Sequence, residues 1–320
     1  MKLNSVQQYT QKGSNNDKII AIITDCGTDL GMGHLQRMMS LLWYLNQKNR
    51  MKAYLISDSI PDNFPQQLLQ YTKKKIDFKP DLIIRDKRNS SIDEISMLKE
   101  ISRVLVIDDN GDGRDLADHV IDLLPNPDKR LGKTSDQGHD LFIYGYNFFG
   151  SLKGINKKRV EKNIDFTIYP GYQADEEYIS FLINLLPEKT NHVILNWENL
   201  SNHIDGRKNN NRKSYSELIL SSRIIISHFG IMLYEGFISG CRLISINRSS
   251  YHSKLTDMVK DDLCITNLGE YKSIDKIKAK RDIDMILSNS KGRSISIMDV
   301  LSKVEDGLER FYRYLQENII

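Results

Sequence analysis

The feature that most constrains this chain is a repeated succession of one short, unbroken apolar run and one longer amphipathic stretch. Lys18–Thr24 reads KIIAIIT, a run with no polar alternation, which suits a strand covered on both faces. Gly31-Met32-Gly33 follows, and behind it Leu35, Met38, Met39, Leu42 and Leu45 recur at helical spacing and define one buried face. The unit then recurs: Ala53–Ser57 (AYLIS) predicts a strand and Leu68–Lys75 a helix closed by Lys73-Lys74-Lys75. Asp81–Arg85 (DLIIR), Arg103–Asp108 (RVLVID) and Leu141–Tyr144 (LFIY) predict further strands. Strand and helix in alternation specify a parallel sheet with helices on both faces.

Residues 151–164 interrupt the pattern with Lys153, Lys157, Lys158, Arg159 and Lys162 and little apolar periodicity, which marks a linker. The alternation then resumes. Phe166–Tyr169, Val193–Trp197, Arg223–Ser227 and Arg242–Ile246 predict strands; 175–186, 214–221, 232–239 and 297–317 predict helices; 201–213 predicts an exposed loop. The expected architecture is α/β: two doubly wound, Rossmann-like domains at 1–152 and 165–296 facing an interdomain cleft. A closing helix at 297–320 would cross back to the first domain.

Composition narrows the function. Lys and Arg number 45 against 42 Asp and Glu, a net charge of +3, which does not mark a nucleic-acid binder. The apolar runs are too short to span a bilayer, and the N-terminus has no apolar leader core. Cys26, Cys241 and Cys264 are three in number and lack CxxC spacing, which argues against a disulfide framework and a structural zinc site. A cytoplasmic protein with no metal and no cofactor is expected.

Three constellations carry chemistry. Gly31-Met32-Gly33-His34, with Arg37 one turn on, lies between a buried strand and a helix, where open α/β sheets bind ligands. The helix N-terminus attracts anions and favours a neutral imidazole, which can accept a proton. Asp108-Asp109-Asn110-Gly111-Asp112-Gly113-Arg114 follows a strand and reads as a turn with ligand contacts rather than a metal loop, since the EF-hand spacing fails. Ser227-His228-Phe229-Gly230, then Tyr234-Glu235 and Gly240, again leads from a strand through glycine into a helix, and a glutamate there could accept ribose hydroxyls. His252 follows a strand end and faces the same cleft.

Together these segments resemble the UDP-sugar hydrolases of pseudaminic acid biosynthesis, within the larger group that includes the GT-B glycosyltransferases related to MurG. The matching stretches are GMGHLQR (Gly31–Arg37), DLIIRD (Asp81–Asp86), VLVIDDNGDGRDLADHVID (Val104–Asp122), IYGYNFF (Ile143–Phe149) and SHFGIMLYEGFISGCRLISI (Ser227–Ile246), spread over about residues 18–250. The resemblance implies a GT-B-like fold with a UDP-sugar in the cleft and His34 as the base that activates water at the anomeric carbon. It further implies sugar contacts from Gly31, Gly33, Arg37, Asp108, Asp109, Tyr146 and Asn147. Nucleotide contacts would come from Gly171, Gly230, Tyr234, Glu235 and His252, with Glu235 on the ribose.

The chain also departs from that family. Tyr169-Pro170-Gly171-Tyr172-Gln173-Ala174-Asp175 stands where a G-G-S-D-P phosphate loop is usual, Phe229-Gly230 replaces a glycine pair, and Arg88 occupies a place often held by tyrosine. Three readings follow: a nucleotide-sugar hydrolase releasing UDP from a UDP-linked diacetamido-trideoxyhexose, a GT-B glycosyltransferase using a nucleotide-sugar donor, and a binding protein without turnover.

Overall fold

The computed structural model describes residues 18–25, 32–47, 51–57, 60–61, 64–126, 141–195, 213–290 and 294–320. Its first half is built on β1 (Ile19–Thr24), α1 (Gly33–Gln47), β2 (Lys52–Ile56), α2 (Gln66–Leu69), β3 (Thr72–Lys73), β4 (Leu82–Asp86), α3 (Ile92–Ile101), β5 (Val104–Ile107), β6 (His119–Ile121) and α4 (Tyr146–Lys153). The strands form one parallel sheet in the order β3-β2-β1-β4-β5-β6. This is the doubly wound order, in which the chain leaves β1 toward one edge and returns to β4 on its other side. The unbroken apolar runs have the expected cause: Ile20, Ile22, Leu82, Ile83 and Ile84 are all completely buried, because helices cover both faces.

The second half contains β7 (Arg159–Val160), β8 (Ile164–Tyr169), α5 (Glu176–Asn184), β9 (His192–Ile194), α6 (Tyr215–Ser221), β10 (Ser222–Ser227), α7 (Ile231–Ile238), β11 (Arg242–Asn247), α8 (Ser250–Val259), β12 (Ile265–Glu270), α9 (Lys276–Asn289), β13 (Ile295–Ser296) and α10 (Ile297–Asn318). Its main sheet is again parallel, ordered β12-β11-β10-β8-β9, while β7 and β13 pair antiparallel. Several helices start on side-chain caps that the sequence spells out. Asp175 accepts from Tyr178 N, and Ser214 with Glu217 closes a full capping box on α6.

Residues 151–164 hold the end of α4 and then β7, and α4 itself packs on α6. The α10 helix buries Val300, Val304, Leu308, Phe311 and Leu315 on one stripe and lies against α1 and α4. There Glu309 accepts from Tyr44 Oη, and Glu305 lies 3.4 Å from Lys153 Nζ. Gly307 is the close approach: any side chain at that position would run into the Phe142 carbonyl. No helix among the described residues is long and apolar enough to cross a membrane.

Two expected elements differ. Leu141–Tyr144 is not a strand; this apolar run is covered by α10 and by the ring of Tyr234, stacked on Phe142 at 4.0 Å, so it is buried without a ladder. Residues 68–75 are not one helix, because Thr72 and Lys73 pair with Leu55 and Ile56 as an edge strand and α2 stops at Leu69. The end of the run 193–197 and the loop at 201–212 lie outside the described residues.

Candidate functional site

The C-terminal edges of the two parallel sheets border one cavity of about 440 Å³. On the first sheet it opens at the switch point between β1 and β4, the place where the strand order leaves a crevice. Gly33 and His34 start α1, and Arg37 follows at i+3 on the same helix face. All three line the cavity, together with Asp108. Gly31 lies outside the described residues.

These side chains form one network around Asp86, the last residue of β4. The His34 Nδ1 lies 2.7 Å from Asp86 Oδ1, while Arg37 donates from Nε to Oδ2 at 2.6 Å and from Nη2 to Oδ1 at 2.5 Å. Arg37 Nη1 is 2.6 Å from Asp108 Oδ2, and Asp108 Oδ1 accepts from Leu124 N at 2.9 Å. Arg37 also lies 3.2 Å from His34 Nδ1, but a guanidinium has no acceptor, so only the carboxylate can receive the imidazole proton. The neutral tautomer of His34 that fits this geometry carries its hydrogen on Nδ1 and presents Nε2 as the acceptor, on a ring whose side chain is 14% exposed.

The electrostatics fit that assignment. Burial works to raise the Asp86 carboxyl, but Arg37 and then His34 outweigh it and hold it at about 2. Burial likewise opposes the charge of Arg37, and Asp86 and Asp108 keep it above its ordinary value. Burial pushes Asp108 up, Arg37 draws it back, and the neighbouring Asp86 adds to the rise. Asp86 is thus a fixed anion that orients the His34 imidazole, and its charge is balanced from the side by Arg37.

The opposite wall comes from the second sheet. Tyr169 ends β8, His228 and Gly230 follow β10, Arg248 and Ser249 follow β11, and Tyr251 and His252 lie in the first turn of α8. Gly230 precedes α7 without a side-chain cap, so the first N–H groups of that helix have no side-chain acceptor at the cavity wall. His228 Nδ1 donates to the Phe229 carbonyl at 2.6 Å, and His252 Nδ1 is 2.9 Å from Ser249 Oγ. Burial lowers both histidines to about 4; Arg248 adds to the effect on His228, and His228, Arg88 and Arg248 add to it on His252. Both rings are neutral near pH 7.

Several expected contacts are placed elsewhere. Asp109 is fully buried and holds Arg85, Ser90 N and Gly111 N. Tyr146 is buried and accepts from Gln67 Nε2, and Asn147 is buried with its N–H on Gln36 Oε1. Tyr234 is stacked on Phe142, a lining residue, and does not itself line the cavity. Glu235 is 1% exposed, accepts from Tyr215 Oη at 2.7 Å and Gly145 N at 3.2 Å, and does not line the cavity. Its carboxyl is already occupied, so the ribose role assigned to it is not supported. Gly171 lies behind the lining; its φ of +100° and the His228 ring against its Cα leave room for glycine alone. Gly33, His34, Arg37, Asp108, Gly230 and His252 are the expected residues that do meet at the cavity.

In the sequence alone, Asp86, Asp122, Arg248 and Tyr251 carry no site role; His228 stands within the third constellation and Arg88 marks a departure from the family, neither with an assigned contact. A signal existed for the first: an apolar strand that ends in Arg85-Asp86 carries its charge to the C-terminal edge, where ligands bind.

No protein-family model and no curated protein matches the sequence. Solved structures do match its fold. One is the glycotransferase of kitacinnamycin, at 9% identity and a TM-score of 0.52 over 95% of this chain and 100% of that one. Another is a putative UDP-N-acetylglucosamine 2-epimerase from Listeria monocytogenes, at 9% identity and a TM-score of 0.53 over 93% of this chain and 96% of that one. With two parallel sheets whose C-terminal edges border one cavity, and with these neighbours, the chain has the GT-B fold of two Rossmann-like halves.

Proposed function

We propose that this protein transfers a sugar from a nucleoside diphosphate to an acceptor hydroxyl, with His34 as general base. The observation that carries the reading is the His34–Asp86 pair, 2.7 Å apart, facing a wall of helix N-termini and arginine across one cavity. His34 Nε2 takes the acceptor proton as oxygen bonds to the anomeric carbon, and the bond from that carbon to the diphosphate oxygen breaks with its electrons on the leaving diphosphate. The positive wall stabilises the charge that develops there. The two fold neighbours named for a glycotransferase and a UDP-sugar epimerase are in keeping with a nucleotide-sugar ligand.

A second reading makes water the acceptor. It is favoured by the stretches Gly31–Arg37 and Val104–Asp122, which resemble the UDP-sugar hydrolases and bring His34, Arg37 and Asp108 to this site. The substrate would then be a UDP-linked diacetamido-trideoxyhexose. Both readings use the same base, so the acceptor alone separates them. Incubation with a panel of UDP- and CMP-sugars, with and without candidate acceptors, and detection of free nucleotide tests them. Release that requires an acceptor supports transfer, release without one supports hydrolysis, and no release from any donor removes both.

A further inference from the structure

One side chain on the cavity wall has an elaborate mount and, among the described residues, no charge partner. The loop after β4 carries Arg88, and its backbone is fastened from beneath by a buried polar network. Arg85, 1% exposed, donates to the carbonyls of Lys87 at 3.2 Å and Asn89 at 2.7 Å. It is itself held by Asp109 at 2.9 Å and by Glu94 at 2.9 and 2.8 Å. Asp109 also receives Ser90 N at 2.9 Å, and Asn110 N donates to the Arg88 carbonyl at 2.8 Å. So the conspicuous Asp108-Asp109-Asn110 segment is divided: Asp108 serves the base, and Asp109 and Asn110 fix the loop.

The fixed loop presents the Arg88 guanidinium over the ring of Tyr251 at 4.7 Å, which carries it from the first sheet's loops to the second sheet's wall. Arg248 reaches the same wall from the end of β11, and both guanidiniums act on His252. Among the described residues neither arginine has a carboxylate partner. The other charged groups at the cavity are compensated: Arg37 by Asp86 and Asp108, and Asp122 by Arg114 at 2.6 Å. Two uncompensated cations, one from each half, therefore stand opposite the base.

Resting on the nucleotide-sugar reading, we propose that Arg88 and Arg248 clamp the diphosphate of the substrate between the two halves. A nucleotide sugar carries one charge on each phosphate, which matches one guanidinium apiece, and guanidinium geometry suits bidentate contact with phosphate oxygens. Arg88 is thus a binding residue supplied by the half that also holds the base. Arg85 and Asp109 are positioning residues behind it. The diphosphate then draws the first sheet's loops onto the second sheet's wall, and donor binding completes the site that uses His34.

Calorimetric titration of wild type, Arg88→Ala, Arg88→Lys and Arg248→Ala tests this, with inorganic pyrophosphate, a panel of nucleoside diphosphates and the corresponding nucleosides as probes. Removal of one charge-assisted partner should weaken pyrophosphate and the preferred nucleoside diphosphate by about 10- to 100-fold in either alanine variant. Nucleoside binding should not change, and Arg88→Lys should recover part of the loss. Arg88 is half-buried, so an unaltered melting temperature shows that the variant folds. Wild-type diphosphate affinity in Arg88→Ala would overturn the clamp while leaving the nucleotide-sugar reading intact. Arg88-dependent binding of pyrophosphate by a protein that takes no nucleoside diphosphate would keep the anion clamp and overturn the nucleotide-sugar reading.

Discussion

His34 and Asp86 show how much of a site depends on which atoms are already committed. The imidazole Nδ1 and the carboxylate lie 2.7 Å apart, so Nε2 is the atom left to accept a proton. Replacing His34 by Asn should slow turnover about 10²- to 10⁴-fold and leave nucleotide affinity unchanged, because the nucleotide contacts proposed above lie elsewhere; released nucleotide against time measures the first and calorimetry the second. Asp86→Asn has a different signature. Asp86 is completely buried and balances Arg37, so the variant leaves a buried guanidinium short of one carboxylate. The expected cost is about 3–5 kcal/mol in urea unfolding, on top of lost activity, and an Asp86→Asn protein as stable as wild type would mean that Asp108 alone compensates Arg37. The sequence located the histidine but not its partner. A glycine-bracketed helix start is a local signal, whereas Asp86 reaches His34 only through the pairing of β1 with β4, which no local pattern records.

At the scale of elements, the unbroken apolar runs and the helices expected at 175–186 and 214–221 were legible because their causes are local. Burial on both faces selects an unbroken apolar run such as Ile19–Ile23, and Asp175 or Ser214 starts a helix by its own side chain. What was not legible was which face of an element a polar residue takes. Helix α7 buries Met232, Leu233, Tyr234, Glu235, Gly236 and Ile238, so it is apolar all round and gives no stripe from which to place Glu235. Asp108 and Asp109 are neighbours that point apart because the chain turns there, with Asp108 at φ +50°. The loop from β8 to α5 makes a testable case of its own. Gly171 has φ +100° and packs against the His228 ring, so Gly171→Ala meets both backbone strain and a steric clash. Destabilisation of about 1–3 kcal/mol is expected, and nucleotide affinity should fall with it, because the ring that must move lines the cavity. A Gly171→Ala variant with unchanged urea midpoint and unchanged affinity would show that the loop relaxes freely.

The two halves of the molecule meet at a buried titratable group that takes no part in the proposed chemistry. Glu235 belongs to the second half, yet its carboxylate accepts from Gly145 N in the first half as well as from Tyr215 Oη beside it. Burial raises this carboxyl from 4.5 to about 8, against the opposing pull of those two hydrogen bonds. The sign of the pH effect follows. Below about 4.5 both folded and unfolded chains hold the proton, and stability is complete. Between about 4.5 and 8 the folded chain keeps a proton that the unfolded chain has released, so stability falls as pH rises, by about 1.4 kcal/mol per unit at most. Above about 8 the folded carboxyl is charged too and the loss levels off. Glu235→Gln keeps the shape, since its amide oxygen can accept from Gly145 and its amide nitrogen can donate to the Tyr215 oxygen, and it cannot ionise. Wild type and Glu235→Gln should therefore unfold at similar urea concentrations at pH 5 and diverge steadily toward pH 8, with the variant the more stable by roughly 3–5 kcal/mol. The difference between the two curves removes the contribution of every other titrating group. Parallel curves from pH 5 to 8 would mean that Glu235 is charged inside the folded protein throughout, and that the contact between the halves tolerates a buried carboxylate without a cation.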